Sequence, residues 1–364
     1  MAQQHDAEWF ARLLPSDGRL DELLGDDPTA ALIGVARDRA PVEMGVERPP
    51  DLDEDPGLRR LFDLAAAAAG KLKATTAPAL SPDEVQALHA LVHLVARPAL
   101  RVRDGDVPAI PASWPRLEGA RGVVSVRLRG IGRLDTPDRR PAGTGWFVAP
   151  DLLATNNHVV AALCGISPHH AGWRAQLDQA VPVHNRLWEQ QPSQRPVWDP
   201  GDAPAPSDAA SARVTRIRMT HPQHDLAFLD VTGVHDSAQL VLPLASAPSG
   251  EPIDVDYYLG GYPVVTAELT AGLHPALVDL LFGGTDQIVH KRVSPGALIG
   301  LASPDAEHDA STLRGSSGSP VIDLTTHRVV GIHYSGVYGQ RNHAVALWTV
   351  QDDAAFRDFG IRFT

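Results

Sequence analysis

Beyond residue 118 the apolar residues come in short runs, and glycine or proline interrupts almost every one. Val123–Leu128, Gly145–Val148, Leu226–Val231, Val255–Leu259, Val329–Ile332 and Ala344–Trp348 are each four to six residues long. Runs of that length, bounded by turn formers, read as strands rather than helices. A chain built this way hides its apolar surface by pairing many short strands, so an all-β barrel or sandwich is predicted. The 31 glycines and 31 prolines of the 364-residue chain supply the turns. Residues 164–212 interrupt the pattern with a polar insertion that contains proline and histidine and shows no regular periodicity.

The first hundred residues have a different texture. Ser81-Pro82-Asp83-Glu84 is a capping box with proline at the first helical position. Behind it Val85, Leu88, Leu91, Val92, Leu94 and Val95 recur at spacings of three and four, as an amphipathic helix requires. Leu61–Leu72, built on the run Ala65–Ala69, predicts a second helix, since alanine is the best helix former. Shorter helices are expected around Trp9–Leu14 and Leu20–Leu24, with an acidic, proline-rich connector over residues 49–56. Residues 1–106 are therefore expected to form a small all-α domain. Residues 107–117, with prolines 108, 111 and 115, are expected to be a linker, and 118–364 the β domain.

Composition removes several classes of function. With 32 Lys+Arg against 44 Asp+Glu the net charge is −12, which argues against binding a phosphate backbone, so no nucleic-acid partner is expected. The single cysteine, Cys164, forbids an internal disulfide framework and a cysteine-based zinc site; it reads as a small packing residue. No apolar stretch is long enough to span a bilayer, and no membrane partner is expected. The N-terminus lacks the basic and apolar regions of a secretory signal, so a cytoplasmic protein is expected.

Three stretches of the β part carry chemistry. They are Gly143-Thr144-Gly145-Trp146 running on to Thr155-Asn156-Asn157-His158-Val159, then His224-Asp225-Leu226-Ala227-Phe228-Leu229, then Gly315-Ser316-Ser317-Gly318-Ser319-Pro320. A serine hydroxyl is a poor nucleophile until an imidazole takes its proton, and a carboxylate on the other ring nitrogen fixes the imidazole's tautomer. An α/β-hydrolase elbow fits less well: it needs G-x-S-x-G before a helix, whereas Ser319 and Pro320 stand here. His221-Pro-Gln-His224 has a metal-ligand spacing, but Pro222 opposes helical presentation, and no metal or cofactor is expected.

In this order the stretches resemble the chymotrypsin-like (trypsin-fold) serine proteases, and in particular their bacterial trypsin-like and glutamyl-endopeptidase branches. Gly331-Ile332-His333-Tyr334-Ser335-Gly336 resembles a fourth motif of that family, and together they span roughly residues 118–352. The resemblance implies a chymotrypsin-like double β-barrel, with His158, Asp225 and Ser317 as catalytic residues and the N–H groups of Gly315 and Ser317 as the oxyanion hole. It implies an intracellular serine endopeptidase acting on a protein or peptide through an acyl-enzyme. An esterase on the same fold and a catalytically silent scaffold working through the helical domain are the alternatives.

Specificity follows from the same resemblance. The pocket for the residue before the scissile bond would be lined by Thr312, His333, Ser335 and Gly336, with His343 where relatives have glycine. Glutamyl endopeptidases pair a hydroxyl and an imidazole at the places of Thr312 and His333, which implies cleavage after Glu or Asp. Ser316 stands where secreted relatives carry an Asp that pairs with a newly cut N-terminus, so activation of that kind is not expected. A helical module ahead of a trypsin-like domain is similar to bacterial conflict-system proteases, which implies that the module restrains the enzyme or recruits a protein partner.

Overall fold

The computed structural model describes residues 10–11, 25–44, 55–75, 78–202, 211–264, 278, 290–337 and 341–364. The helical region contains α1 (Pro28–Met44), α2 (Pro56–Ala74) and α3 (Pro82–Leu91), each opening on a proline. Proline suits that place because a first-turn N–H has no helical acceptor. The Asp55 carboxylate accepts from the N–H groups of Gly57 and Leu58 at 2.8 and 3.1 Å, which starts α2. At the head of α3 Ser81 and Glu84 form the expected reciprocal cap, at 2.8 and 3.2 Å. Leu58, Leu61, Phe62, Ala65 and Ala69 line one face of α2 and meet Ala87, Leu88 and Leu91 of α3 and Leu32 and Ala36 of α1 in one core. The helix expected at Trp9–Leu14 is described only at Phe10 and Ala11; the one at Leu20–Leu24 and most of the acidic connector lie outside the described residues.

α3 passes into a single π-helical turn, Val92–Ala96. The chain then lays down β1 (Leu100–Arg101). Residues 107–117, read from the sequence as a linker, run against the β domain, with Val107, Trp114 and Leu117 buried in its core. Two helices follow, α4 (Pro115–Gly119) and α5 (Arg121–Leu128). Val123–Leu128 is thus helical and not the expected strand. Its β-branched residues favour a strand, but Val124 and Leu128 are buried four apart while Val123 and Val126 are 42% and 48% exposed, a helical period that tertiary packing imposes.

The β domain is two antiparallel barrels. The first comprises β2 (Ile131–Asp135), β3 (Pro141–Ala149), β4 (Leu152–Thr155), β5 (Val197–Asp199), β6 (Ala212–Thr220) and β7 (Ala227–Thr232). It closes in the order β2-β3-β4-β7-β6-β5. The second comprises β8 (Asp256–Gly261), β9 (Arg292–Ala302), β10 (Asp305–His308), β11 (Pro320–Asp323), β12 (Val329–Val337) and β13 (Arg341–Ala346). Its order is β9-β10-β13-β12-β11-β8; β8 pairs back to β9, and β1 adds to the outside of β9 through Leu100–Val293. This is the chymotrypsin-like double barrel preceded by a helical region.

Between β4 and β5 lie α6 (Asn157–Leu163) and α7 (Trp173–Gln190). The insertion that the sequence leaves unassigned thus contains the 18-residue helix α7, even though Pro182 stands inside it, and the strand β5. Leu177 and Trp188 anchor α7 in the first barrel's core. The Asn185 amide also pairs with both backbone groups of Ile217 in β6, at 2.7 and 3.0 Å. At the other end of the chain α8 (Ala354–Arg357) brings Phe356 and Phe359 edge-on to Phe228 of the first barrel, with ring centroids 5.7 and 5.6 Å apart.

Candidate active site

The register of two strands builds the first half of the site. β4 ends with Thr155 opposite Ala227 of β7, so the residues after β4 lie beside those before β7. Asn156 donates to the Asp225 carbonyl at 2.6 Å, and Asn157 to the carbonyls of His221 and His224 at 2.8 and 2.9 Å. His158 follows as the second residue of α6. Its backbone N–H donates to Oδ1 of Asp225 at 3.1 Å, and its ring Nδ1 lies 2.6 Å from Oδ2. A carboxylate only accepts, so Nδ1 donates to it, and Nε2 is the basic nitrogen of the neutral ring.

The second half is the turn ahead of β11. The Ser316 N–H donates to Leu313 O at 3.0 Å and the Ser319 N–H to Ser316 O at 2.9 Å, curling the chain around Ser317. Gly315 and Gly318 have φ of +88° and +89°, where side-chain-bearing residues are strained. A Cβ on Gly318 would also run into the carbonyl oxygen of Thr144. Thr144, from β3 of the first barrel, fastens this turn: its N–H donates to Ser317 O at 2.8 Å and its hydroxyl to Gly315 O at 3.0 Å. Among the described residues the N–H groups of Gly315 and Ser317 have no protein acceptor.

His158, Asp225 and Ser317 line one cleft of about 760 Å³ between the barrels, together with Thr312, His333, Ser335, Gly336 and Asn342. In this structure no hydrogen bond joins His158 Nε2 to the Ser317 hydroxyl, a contact that commonly tightens only when substrate is bound. His343, expected in the pocket, is not in the lining; its Nδ1 lies 3.2 Å from Asp305 Oδ2. Successive strand residues face opposite ways, and Asn342 takes the cleft side, accepting from the Thr312 hydroxyl at 2.6 Å.

His333 is 3% exposed, and burial holds its imidazole well below the ordinary histidine range, with His308 and His158 adding to the effect. His308, 1% exposed, puts Nε2 at 3.0 Å from His333 Nδ1 and is pushed down to about 3, chiefly by burial. Sequence reasoning singled out neither His308 nor the tie made by Thr144. Thr144 stood inside a quoted motif, whereas nothing in the local sequence marks His308. Cys164 ends α6, and burial pushes its thiol up to about 12, as suits a packing residue. Among the described residues no cluster could hold a metal ion, and no helix is long and apolar enough to cross a membrane.

Two closed barrels with a histidine–carboxylate pair from one and a glycine-flanked serine turn from the other define the chymotrypsin-like architecture of a hydrolase. The family model for the trypsin-like peptidase domain matches residues 143–332, just over half of the chain, and the protein belongs to that family. Solved structures similar to it include the Rv3671c protease of M. tuberculosis in an inactive form, with 18% identity over 64% of this chain and 91% of that one, TM-score 0.40. The active form of the same protease gives 17% identity, 66% and 85% coverage and a TM-score of 0.39. A Glu endopeptidase in complex with MPD gives 17% identity, 64% and 88% coverage and 0.38. No curated protein matches the chain.

Proposed function

We propose that the protein is a serine endopeptidase in which Ser317 is the nucleophile, His158 the general base and then acid, and Asp225 the group that orients His158. The observation that carries this reading is the two-point grip of Asp225 on His158, at 2.6 and 3.1 Å, in the cleft that Ser317 lines. His158 Nε2 takes the Ser317 proton as Oγ attacks the peptide carbonyl, then delivers it to the leaving amine. The N–H groups of Gly315 and Ser317 receive the oxyanion, an interaction whose loss costs ~10²–10³ in turnover in comparable enzymes. Water, activated by the same imidazole, releases the acyl group. No cofactor takes part in these steps.

The pocket reading is cleavage after Glu or Asp. His333 supplies an imidazole, with His308 behind it where the two rings share a proton, and the Thr312 hydroxyl, which donates to Asn342 Oδ1, would turn its proton to an arriving carboxylate. The substrate is thus a protein or peptide. The helical region is proposed to bind a protein partner and so recruit the enzyme. A role as a plug over the cleft has less support, because among the described residues none of the first hundred lines the cleft.

Fluorophosphonate labelling of the full chain, followed by a peptide-library digest, tests both parts. The expected result is labelling that Ser317→Ala abolishes and cleavage products enriched in C-terminal Glu or Asp. Folded protein that neither labels nor cleaves would overturn the peptidase reading. Cleavage without acidic enrichment would overturn only the pocket assignment.

A further inference from the structure

The turn that carries the oxyanion-hole amides is anchored from outside the β domain. Arg97, just after the π-helical turn, donates through Nε and Nη2 to the two carboxylate oxygens of Asp309, each at 2.8 Å. Asp309 is 6% exposed and also accepts from the Ala297 N–H of β9 at 2.7 Å. Two residues on, the Ser311 hydroxyl donates to the Arg97 carbonyl at 2.5 Å and lies 3.0 Å from His93 Nδ1. His93 is buried in the π-helical turn, whose carbonyls 93 and 94 accept from the Arg39 guanidinium of α1. Two residues further, Leu313 is buried in the core of the helical region, in the same cluster as Leu58, Phe62, Leu88 and Leu91. It is the member of the active-site turn whose carbonyl accepts from Ser316 N–H.

We infer that His93, Arg97, Ser311 and Leu313 are positioning residues for the reaction: the helical region forms the back wall of the active-site turn and holds Thr312, Gly315 and Ser317 in register. This inference rests on the peptidase reading above for its catalytic consequence, but the anchoring itself does not depend on it. From Asp309 to Leu313 every second residue is held by the helical region, and Thr312 between two of those anchors faces the cleft. Leu313 itself reaches both sides, buried against the helical core and also lining the cleft beside Thr312, so it joins the wall directly to the site. The turn then reaches Gly315 two residues after its last anchor. Oxyanion donors act only when they are set in place before charge develops, so a wall that immobilises residues 309–313 bears on the rate of the chemical step. π-helical turns are uncommon and often mark functional places, and this one puts His93 against Ser311.

The test uses the full chain and four variants: Ser311→Ala, which removes the shared hydroxyl; Ser311→Thr, which keeps it; Arg97→Ala; and Lys71→Ala, which breaks an ion pair to Glu84 away from the turn. Two readouts are taken, the rate constant of fluorophosphonate labelling and amide hydrogen exchange across residues 309–318. A merely structural role lowers the amount of folded protein that labels but leaves the rate constant of that fraction unchanged. The expected result is a labelling rate constant about ten- to a hundredfold lower in Ser311→Ala and Arg97→Ala, with exchange faster across 309–318 and unchanged in the first barrel. Ser311→Thr should restore most of the rate, and Lys71→Ala should leave it alone. Unchanged exchange across 309–318 in both Ser311→Ala and Arg97→Ala would overturn the inference. Faster exchange across 309–318 in the two variants, together with a wild-type chain that does not label, would keep the anchoring and remove the peptidase reading instead.

Discussion

His308 Nε2 and His333 Nδ1 lie 3.0 Å apart although their strands, β10 and β12, are separated by β13. Two nitrogens at that distance share one proton, with one ring donating and the other accepting. Burial keeps both rings neutral near pH 7. A carboxylate arriving in the cleft beside His333 would change that balance, because a nearby negative charge favours the protonated ring. The pair is thus suited to offer an N–H hydrogen bond to an acidic side chain, and to take up a proton from solvent as it arrives, without exposing a fixed charge beforehand.

On peptides that differ only at the residue before the scissile bond, Glu should exceed Gln in kcat/KM by at least about tenfold. His333→Leu should erase that ratio. His308→Leu should reduce it while leaving cleavage of the Gln peptide near the wild-type level. Equal kcat/KM for Glu and Gln in the wild type would remove the pocket assignment.

Acid should destabilise the protein through its buried imidazoles. His93 and His308 are held at about 3 and His333 well below 6.5, so between about 3 and 6.5 the folded chain binds fewer protons than the unfolded one. Stability therefore falls as pH drops through that window and is level above it. Burial is the main cause for all three; His89 and Arg39 face His93, His343 and His333 face His308, and His158 acts on His333. Urea midpoints measured from pH 7.5 down to 4.5 should decline below about pH 6.5, and the decline should be shallower in His308→Leu. A level profile across that range would contradict the burial of these rings.

Gly318→Ala should fold poorly and label slowly. The left-handed backbone at +89° alone costs an alanine about 1–2 kcal/mol. The added Cβ also meets the Thr144 carbonyl oxygen, which is backbone and cannot swing aside. The thermal midpoint should fall by several degrees, and the labelling rate should fall with it because Ser317 is displaced. Wild-type values for both would show that the turn around Ser317 is looser than its hydrogen bonds require.

The residues brought together in the cleft were legible because each sits in a stretch whose local geometry restricts the sequence. Gly315 and Gly318 are glycines because their φ is positive and a neighbouring backbone stands where a Cβ would go. The Ser81 capping box and the alanine face of α2 were legible for a similar local reason. What escaped was set by contacts distant along the chain. Val123–Leu128 has the composition of a strand, and only its docking through Val124 and Leu128 makes it a helix. α7 carries Pro182 and buries little beyond Leu177 and Trp188, so its apolar period is too sparse to read. His343 looked like a pocket residue by its position, and one step of strand alternation turned it toward Asp305. His308 has no local signature, because its partner is two strands away in the sheet.

The path of the chain across the two barrels has a mechanical consequence. Before it enters the first barrel, the chain is already fastened to the second, through Leu100 on β9 and Arg97 on Asp309. After it leaves the second barrel, it returns to the first, where Phe356 and Phe359 grip Phe228. Each barrel is thus strapped by the segment that lies farther from it along the chain. Tension applied at residues 97 and 359 would load both straps and pass through the cleft itself, so the two halves of the molecule cannot be drawn apart while either strap holds.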